Sequence, residues 1–309
     1  MTLRFLALGS GSRGNAALVE FGSTLLMIDC GLPCKVVEER LQAVGRQPRD
    51  VTAILVTHDH TDHAQGVATF AKRHNTPVWM TAGTASTMPT ITRVHHLSCH
   101  RSLTIGAIEV QPYPVPHDAR EPCQYTFAAA GRRLGMLTDA GHVTPHMVER
   151  LKDCDALALE CNHDLDSLQR GPYPESLKAR VASRFGHLNN HQTTELLQRL
   201  DATRVQWLLG LHLSERNNSP DHVRATLKPA LENARYPLHL GRRPRSAAGL
   251  LAEDRRRRPC RAQRAETLSG CSPGSPAPRT PTSRQPRKRG PFSRTSARRL
   301  PHQFSTGRS

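Results

Sequence analysis
The chain has 309 residues, 37% hydrophobic and only 4% aromatic, with a formal net charge of +17. That composition allows one large or two small domains with a lean core, and no apolar run comes near the ~20 residues of a membrane-spanning helix, which it excludes. The charge is uneven: residues 242–309 hold 18 Lys/Arg against 3 acids, leaving 25 basic and 23 acidic side chains in residues 1–241.

In chain order, Arg4 and a short apolar stretch run at once into Gly9-Ser10-Gly11, so no signal-peptide apolar region is expected. The runs 3–8, 16–21, 24–28, 51–56 and 77–80 are β-branched or leucine-rich and bounded by Gly, Pro or Asp, which predicts strands. Between them, 35–44 and 63–73 have helical spacing. The second half repeats the theme, with strands over 103–110, 124–130, 133–137, 156–159 and 205–211 and helices over 145–151, 174–185 and 192–200. Ser219-Pro220 marks one more helix start, a hydroxyl cap followed by proline where its missing N–H does no harm. Strand-rich halves that each end in helices predict two sheets face to face with helices outside, in a single domain over 1–241.

Residues 242–309 contain 9 of the 23 prolines, the runs Arg255 to Arg258 and Arg287 to Arg289, and no apolar periodicity. Such a segment cannot bury enough apolar surface to order itself and is expected to be a disordered, solvated tail. The alternatives are an arm that neutralises nucleic-acid phosphates, or a reading-frame artefact beginning where the strand-like stretch 236–240 stops. Eight cysteines with no C-x-x-C pair are too few and scattered for a disulfide framework, which fits a reducing cytosol.

The chemistry is concentrated in Thr57-His58-Asp59-His60-Thr61-Asp62-His63, directly after the strand-like run 51–56. Three histidines and two carboxylates in six residues are too polar for a core. Imidazole nitrogen and carboxylate oxygen are ligands that zinc, manganese and iron accept, and a loop leaving a strand end can converge them on one point. A polar surface turn is the bland alternative. Gly9, Gly11 and Gly14 are spaced like a dinucleotide fingerprint, but the segment after them reads as a strand, so the helix that would hold a pyrophosphate is missing.

H-x-H-x-D-H after a strand resembles the metallo-β-lactamase superfamily, and residues 1–241 as a whole resemble its YycJ/WalJ-type hydrolases. The supporting strings begin with Gly9-Ser10-Gly11-Ser12-Arg13-Gly14-Asn15, Ile28-Asp29-Cys30-Gly31, Pro116-His117-Asp118-Ala119 and Thr138-Asp139-Ala140-Gly141. Glu160-Cys161-Asn162-His163-Asp164, Gly186-His187-Leu188 and the run His212 to Asn218 complete them. The resemblance implies an α/β fold, the four-layer αββα sandwich, and two divalent metal ions, Zn²⁺ or Mn²⁺. His58, His60 and His117 would hold one ion, Asp62, His63 and His212 the other, with Asp139 bridging and a shared hydroxide as nucleophile. Asp29 would stand behind the ligands, where a carboxylate fixes a histidine tautomer; a turn or helix cap is its alternative. Glu160 and His187 resemble the pair that serves the leaving oxygen, with His163 and Asn162 as the other candidates. The catalytic expectations thus fall on Asp62, Asp139, Glu160 and His187.

Ser10, Ser12, Asn15, Asn217 and Asn218 suit presentation of donors to an anion or, equally, plain turn formation. One departure is Asn189, where relatives carry serine after Gly-His-Leu. Asp62, where β-lactamases of this fold often place cysteine, fits the nuclease and thioesterase branches. The short stretch between Glu160 and His187 argues against a β-CASP insertion. The implied activity is phosphodiester hydrolysis, as a 5′-to-3′ exonuclease with duplex DNA as substrate and neither membrane nor obligate protein partner. A small-molecule hydrolase of a cyclic phosphodiester, lactone or thioester is the alternative, favoured by the near-neutral body. A non-catalytic binding protein that uses the basic tail is a third.

Overall fold
The computed structural model describes residues 1–91, 93–200, 204–232 and 237–240, all within the unit Met1–Arg256. The chain opens with β1 (Arg4–Gly9), β2 (Ala16–Phe21) and β3 (Thr24–Ile28), then α1 (Cys34–Ala43) and β4 (Ala53–Leu55). It continues through α2 (Thr61–Ala64), α3 (Val67–His74), β5 (Val78–Met80), α4 (Ala82–Ser86) and β6 (Val94–His96). These strands form one sheet in chain order, antiparallel over β1–β3 and parallel from β3 to β6.

The second sheet contains β7 (Leu103–Ile105), β8 (Ile108–Pro114), β9 (Cys123–Ala129), β10 (Arg132–Leu137), β11 (Ala156–Glu160), β12 (Trp207–Leu211) and β13 (Leu238–Leu240). It is antiparallel over β7–β10 and parallel over β10–β13. Its helices are α5 (Pro145–Leu151), α6 (Leu165–Arg170), α7 (Glu175–Val181), α8 (Asn190–Arg199) and α9 (Pro220–Leu231).

Alternation along the strands builds the layers. On β2, Ala17 and Val19 join the core between the sheets, while Ala16 and Leu18 join the core that holds Val37 and Leu41 of α1 and Phe70 of α3. On β11, Ala156 and Ala158 face the first sheet, and Leu157 and Leu159 pack with Met147 of α5, Leu196 of α8 and Val223 of α9. Strands covered on both faces read as continuous apolar runs because both side-chain sets are buried. The result is helices, sheet, sheet, helices, the αββα sandwich. Tyr125 of β9 ties the sheets together at the site end, its buried hydroxyl donating to the Val56 carbonyl at 2.6 Å.

Several expected elements change form. The helix over 63–73 is two, because the Gly66 N–H bonds to Cys30 O (2.8 Å) and a Cβ there would lie 2.2 Å from Leu32 O; the chain pauses where it meets the 30–32 loop. The run 103–110 is a hairpin, not one strand, since Gly106 turns at φ +57 between β7 and β8. The helix over 174–185 stops at Val181, and His187 N then bonds Val181 O at 2.9 Å. The Ser219 cap holds as read, its hydroxyl accepting from His222 N with Pro220 next. The expectations for 242–309 lie outside the described residues. Among the described residues no helix is long and apolar enough to cross a membrane, and six free cysteines are buried.

Candidate metal centre and active site
The site lies where strand ends of both sheets meet. Asp29 follows β3, His58 follows β4, His117 follows β8, Asp139 follows β10, Glu160 ends β11 and His212 follows β12. Loops at the carboxyl ends of parallel strands are where such folds gather polar groups without spending core positions. Asp29, Asp139 and His212 all have positive φ, +59, +51 and +55. Outside glycine that conformation costs on the order of 1 kcal/mol each, and it turns the chain off the sheet abruptly.

The loop carrying His58, His60, Asp62 and His63 is clamped by the glycine-bearing strings. Asn15 N bonds Asp62 O at 2.7 Å, Cys30 N bonds His63 O at 2.9 Å, and Gly31 N bonds Asn15 O at 2.8 Å. A Cβ on Gly31 would fall 1.6 Å from Asp62 O, so only glycine lets these backbones touch.

Most of the histidines have one ring nitrogen fixed from behind and the other turned inward. His58 Nδ1 is 2.9 Å from Thr57 Oγ1. His63 Nδ1 is 2.8 Å from Asp29 Oδ2, and Asp29 also accepts from the Thr57 N–H and hydroxyl. His117 Nδ1 meets Gly186 O at 3.0 Å and its Nε2 lies 3.2 Å from His60 Nδ1. His212 Nδ1 lies 3.1 Å from Asp139 and 3.2 Å from Glu160. Asp29 thus lies against His63 and not at a helix start, the placement from which a carboxylate can fix an imidazole tautomer.

With Glu160 and His187, these positions form four overlapping clusters whose candidate ligand atoms lie within 4.8 Å of one another: His58, His60 and His117; Asp62, His63 and His212; His58, His63 and Asp139; and Asp139, Glu160, His187 and His212. Asp139 is thus shared, its Oδ2 3.0 Å from His63 Nε2. The donor set suits a divalent cation on two independent grounds. His58 Nε2 and His212 Nε2 are buried with no hydrogen-bond partner among the described residues, a costly arrangement unless something else binds them. Charge agrees: burial opposes every ionised group here, yet Asp139 is held well below the usual carboxylate range by His212 and His63. Burial likewise works against His63, but Asp139 and Asp29 raise it well above its ordinary value. A pocket that recruits protons onto its histidines to balance carboxylates is one in which cations would take their place.

Glu160 and His187, 27 residues apart, do meet: His187 Nδ1 lies 2.9 Å from Glu160 Oε1. The fully buried Glu160 accepts on its other oxygen from Ala140 N (3.0 Å) and Leu188 N (3.2 Å), so it is locked in place. Burial disfavours the imidazolium, but the bonds to Asp139 and Glu160 win and push His187 up to about 10. His187 borders a cavity of about 340 Å³ that also touches His60, Asp62, Asp139 and His212.

Other candidates move to structural roles. Asn189 caps α8, accepting from Gln192 N at 2.9 Å while Gln192 accepts from Asn189 N, a capping role that an amide fills as well as a hydroxyl. Asn218 Nδ2 bonds Cys161 O and Asn190 Oδ1, and Ser10 Oγ accepts from His212 N at 2.7 Å. His163 is fully buried, its Nδ1 3.3 Å from Asn162 Oδ1, and is not among the cavity residues, whereas His187 is. Ser12, Asn162 and Asn217 do border the cavity. Sequence reading passed over Tyr173, Leu177 and Arg180, which also border it; nothing in their local pattern marked them.

The beta-lactamase superfamily domain model matches residues 24–208. The chain belongs to the metallo-β-lactamase superfamily. Within it, the chain is 34% identical over 239 residues to exodeoxyribonuclease YycJ of Bacillus anthracis, covering 75% of this chain and 90% of that protein. It is 30% identical over 239 residues to exodeoxyribonuclease WalJ of Streptococcus pneumoniae, covering 75% and 89%. The fold matches that of the metallo-β-lactamase fold protein YhfI from Bacillus subtilis, with a TM-score of 0.61 at 15% identity, over 78% of this chain and 98% of that one. Superfamily membership and the His/Asp clusters make the chain a metal-dependent hydrolase of the YycJ/WalJ type.

Proposed function
We propose that this chain is a dinuclear-metal exonuclease that degrades duplex DNA from the 5′ end. The observation that carries the reading is the 34% identity to an exodeoxyribonuclease across 90% of its length; His58, His60 and His117 would hold one ion and Asp62, His63 and His212 the other, with Asp139 between the two sets. Two divalent ions, zinc or manganese, would supply water activation near neutral pH and offset charge on the diester. The chain's own residues do the rest. Asp29 holds His63 in one tautomer. Glu160 and Asp139 engage Nδ1 of His187, so Nε2 is the nitrogen left to meet the leaving oxygen, and the imidazolium they favour is the form that can donate a proton to it. A cation near Asp139 would weaken that carboxylate's pull and draw His187 back toward neutrality, where a general acid is most useful.

The second reading, a small phosphodiester hydrolase, is favoured by the cavity itself: about 340 Å³, bordered by one arginine and no lysine among the described residues, rather than a basic groove. Digestion of 5′-labelled duplex DNA by the metal-loaded chain, by His60→Ala and after chelation, with bis(p-nitrophenyl) phosphate alongside, separates the two. Progressive loss of DNA that vanishes in the variant and with chelator supports the exonuclease. Cleavage of the small diester alone replaces it with the second reading.

A further inference from the structure
The cavity beside the ligand clusters is lined by two unlike sets of residues. One is polar and acidic, with Asp62, Asp118 and Asp139; the other, from the segment leading into and through α7, brings Tyr173, Leu177, Val181 and Arg180. Among the described residues that border it, Arg180 is the one Lys or Arg. Its guanidinium is anchored through Nε, 2.6 Å from Asp118 Oδ2. No other hydrogen-bond partner of Arg180 is found among the described residues, and its side chain is 60% exposed. A carboxylate that grips Nε leaves both terminal amines as a fork, the geometry that takes a phosphate in bidentate fashion. Asp118 in turn sits beside the clusters, its Oδ1 3.6 Å from His117 Nε2 and 3.8 Å from His60 Nε2. One side chain, Asp118, thus links the fork to the ligand histidines, a separation that a nucleoside can span, and the half-buried Tyr173 and Leu177 border the same cavity as a surface for a base.

We propose that Tyr173, Leu177 and Arg180 form a subsite for the terminal nucleotide of a nucleic-acid end, in which Arg180, positioned by Asp118, binds the terminal phosphate. The site selects substrates that carry a phosphate one nucleoside removed from the scissile diester. A cavity of about 340 Å³ bordered by α7 has room for about one nucleotide, which suits a chain end. The proposal deepens the exonuclease reading and rests on it for the natural substrate, though not for the chemistry of the subsite.

The test uses the full, Mn²⁺-loaded chain and p-nitrophenyl esters of thymidine phosphate, in both polarities, with and without a second phosphate on the other hydroxyl. The ratio of kcat/KM between bisphosphate and monophosphate esters is read within each protein, so a general loss of activity cancels. The wild type is expected to prefer the bisphosphate ester roughly ten- to a hundredfold. Arg180→Gln should bring the ratio toward one, Asp118→Asn should lower it, and Arg180→Lys, a point charge without the fork, should keep part of it. Arg170→Gln, an exposed cation outside the cavity, should leave it unchanged. A wild-type ratio near one, or a ratio that survives Arg180→Gln, overturns the subsite. Short duplexes with and without terminal phosphates are digested in parallel. A preference on the esters without any duplex digestion overturns the exonuclease reading and leaves the subsite standing; duplex digestion blind to terminal phosphate does the reverse.

Discussion
Replacing Glu160 by glutamine is the sharpest single perturbation the geometry offers. The carboxylate accepts four hydrogen bonds, from His187 Nδ1 at 2.9 Å, His212 Nδ1 at 3.2 Å, Ala140 N at 3.0 Å and Leu188 N at 3.2 Å, and is fully buried. Burial opposes its charge, yet the bonds to His187 and His212 hold it down to about 2. A glutamine has one oxygen, so its NH₂ must point either at two backbone N–H groups or at two imidazoles. Either way two buried acceptor interactions are lost and donors are brought together, which costs about 2–4 kcal/mol of stability. The catalytic effect is separate: without the carboxylate, His187 is neither oriented nor favoured as imidazolium, and kcat should fall roughly 10²- to 10⁴-fold. Thermal melts and duplex-DNA digestion kinetics on the same metal-loaded preparations read the two effects independently, since a nucleoside alkoxide, unlike p-nitrophenolate, needs a proton in order to leave. A folded Glu160→Gln protein with kcat within about threefold of wild type would sink the assignment of Glu160 and His187 to proton transfer.

Asp29→Asn keeps the shape but removes the charge behind His63, and affinity for metal is expected to drop roughly 10- to 100-fold in equilibrium dialysis, an unchanged affinity counting against its orienting role. Gly31→Ala would drive a Cβ into Asp62 O, 1.6 Å away; the expected outcome is a loss above about 3 kcal/mol or a chain that does not fold, and a well-folded active variant would show that the two loops are not clamped. Glu38 lies outside the site, held down to about 2 by His74 and Arg73, at 2.8 and 2.9 Å, and by the Cys34 thiol. Because its folded-state value is depressed from 4.5, its contribution is present above that pH and is lost as pH falls toward 2. Partial exposure limits it to about 1 kcal/mol, so urea midpoints of wild type and Glu38→Gln should differ at pH 7 and converge near pH 2, with a gap that persists in acid refuting the assignment.

The metal loop was legible in the sequence because chemistry there is local: His58, His60, Asp62 and His63 fall within six residues after an apolar strand, and no core or ordinary turn asks for that set. Strands 16–21 and 24–28 and helix 145–151 were legible for a similar reason, their bounds being marked by glycine, proline and a hydroxyl cap. The hairpin at Gly106 and the break at Gly66 were not, since each depends on a close approach to residues distant in sequence, Thr24 in one case and Leu32 in the other. The remote candidate ligands His117, Asp139 and His212 could be named through resemblance alone, because an isolated histidine or aspartate carries no signal of what it will face. Only the tertiary structure decided that Glu160 meets His187, that Asn189 is a helix cap, and that Arg180 and Tyr173 share a cavity with the candidate ligands. Hydrogen bonds and ion pairs act over a few ångströms of space, and the sequence encodes that proximity only through the packing of two sheets, which brings the strand ends together.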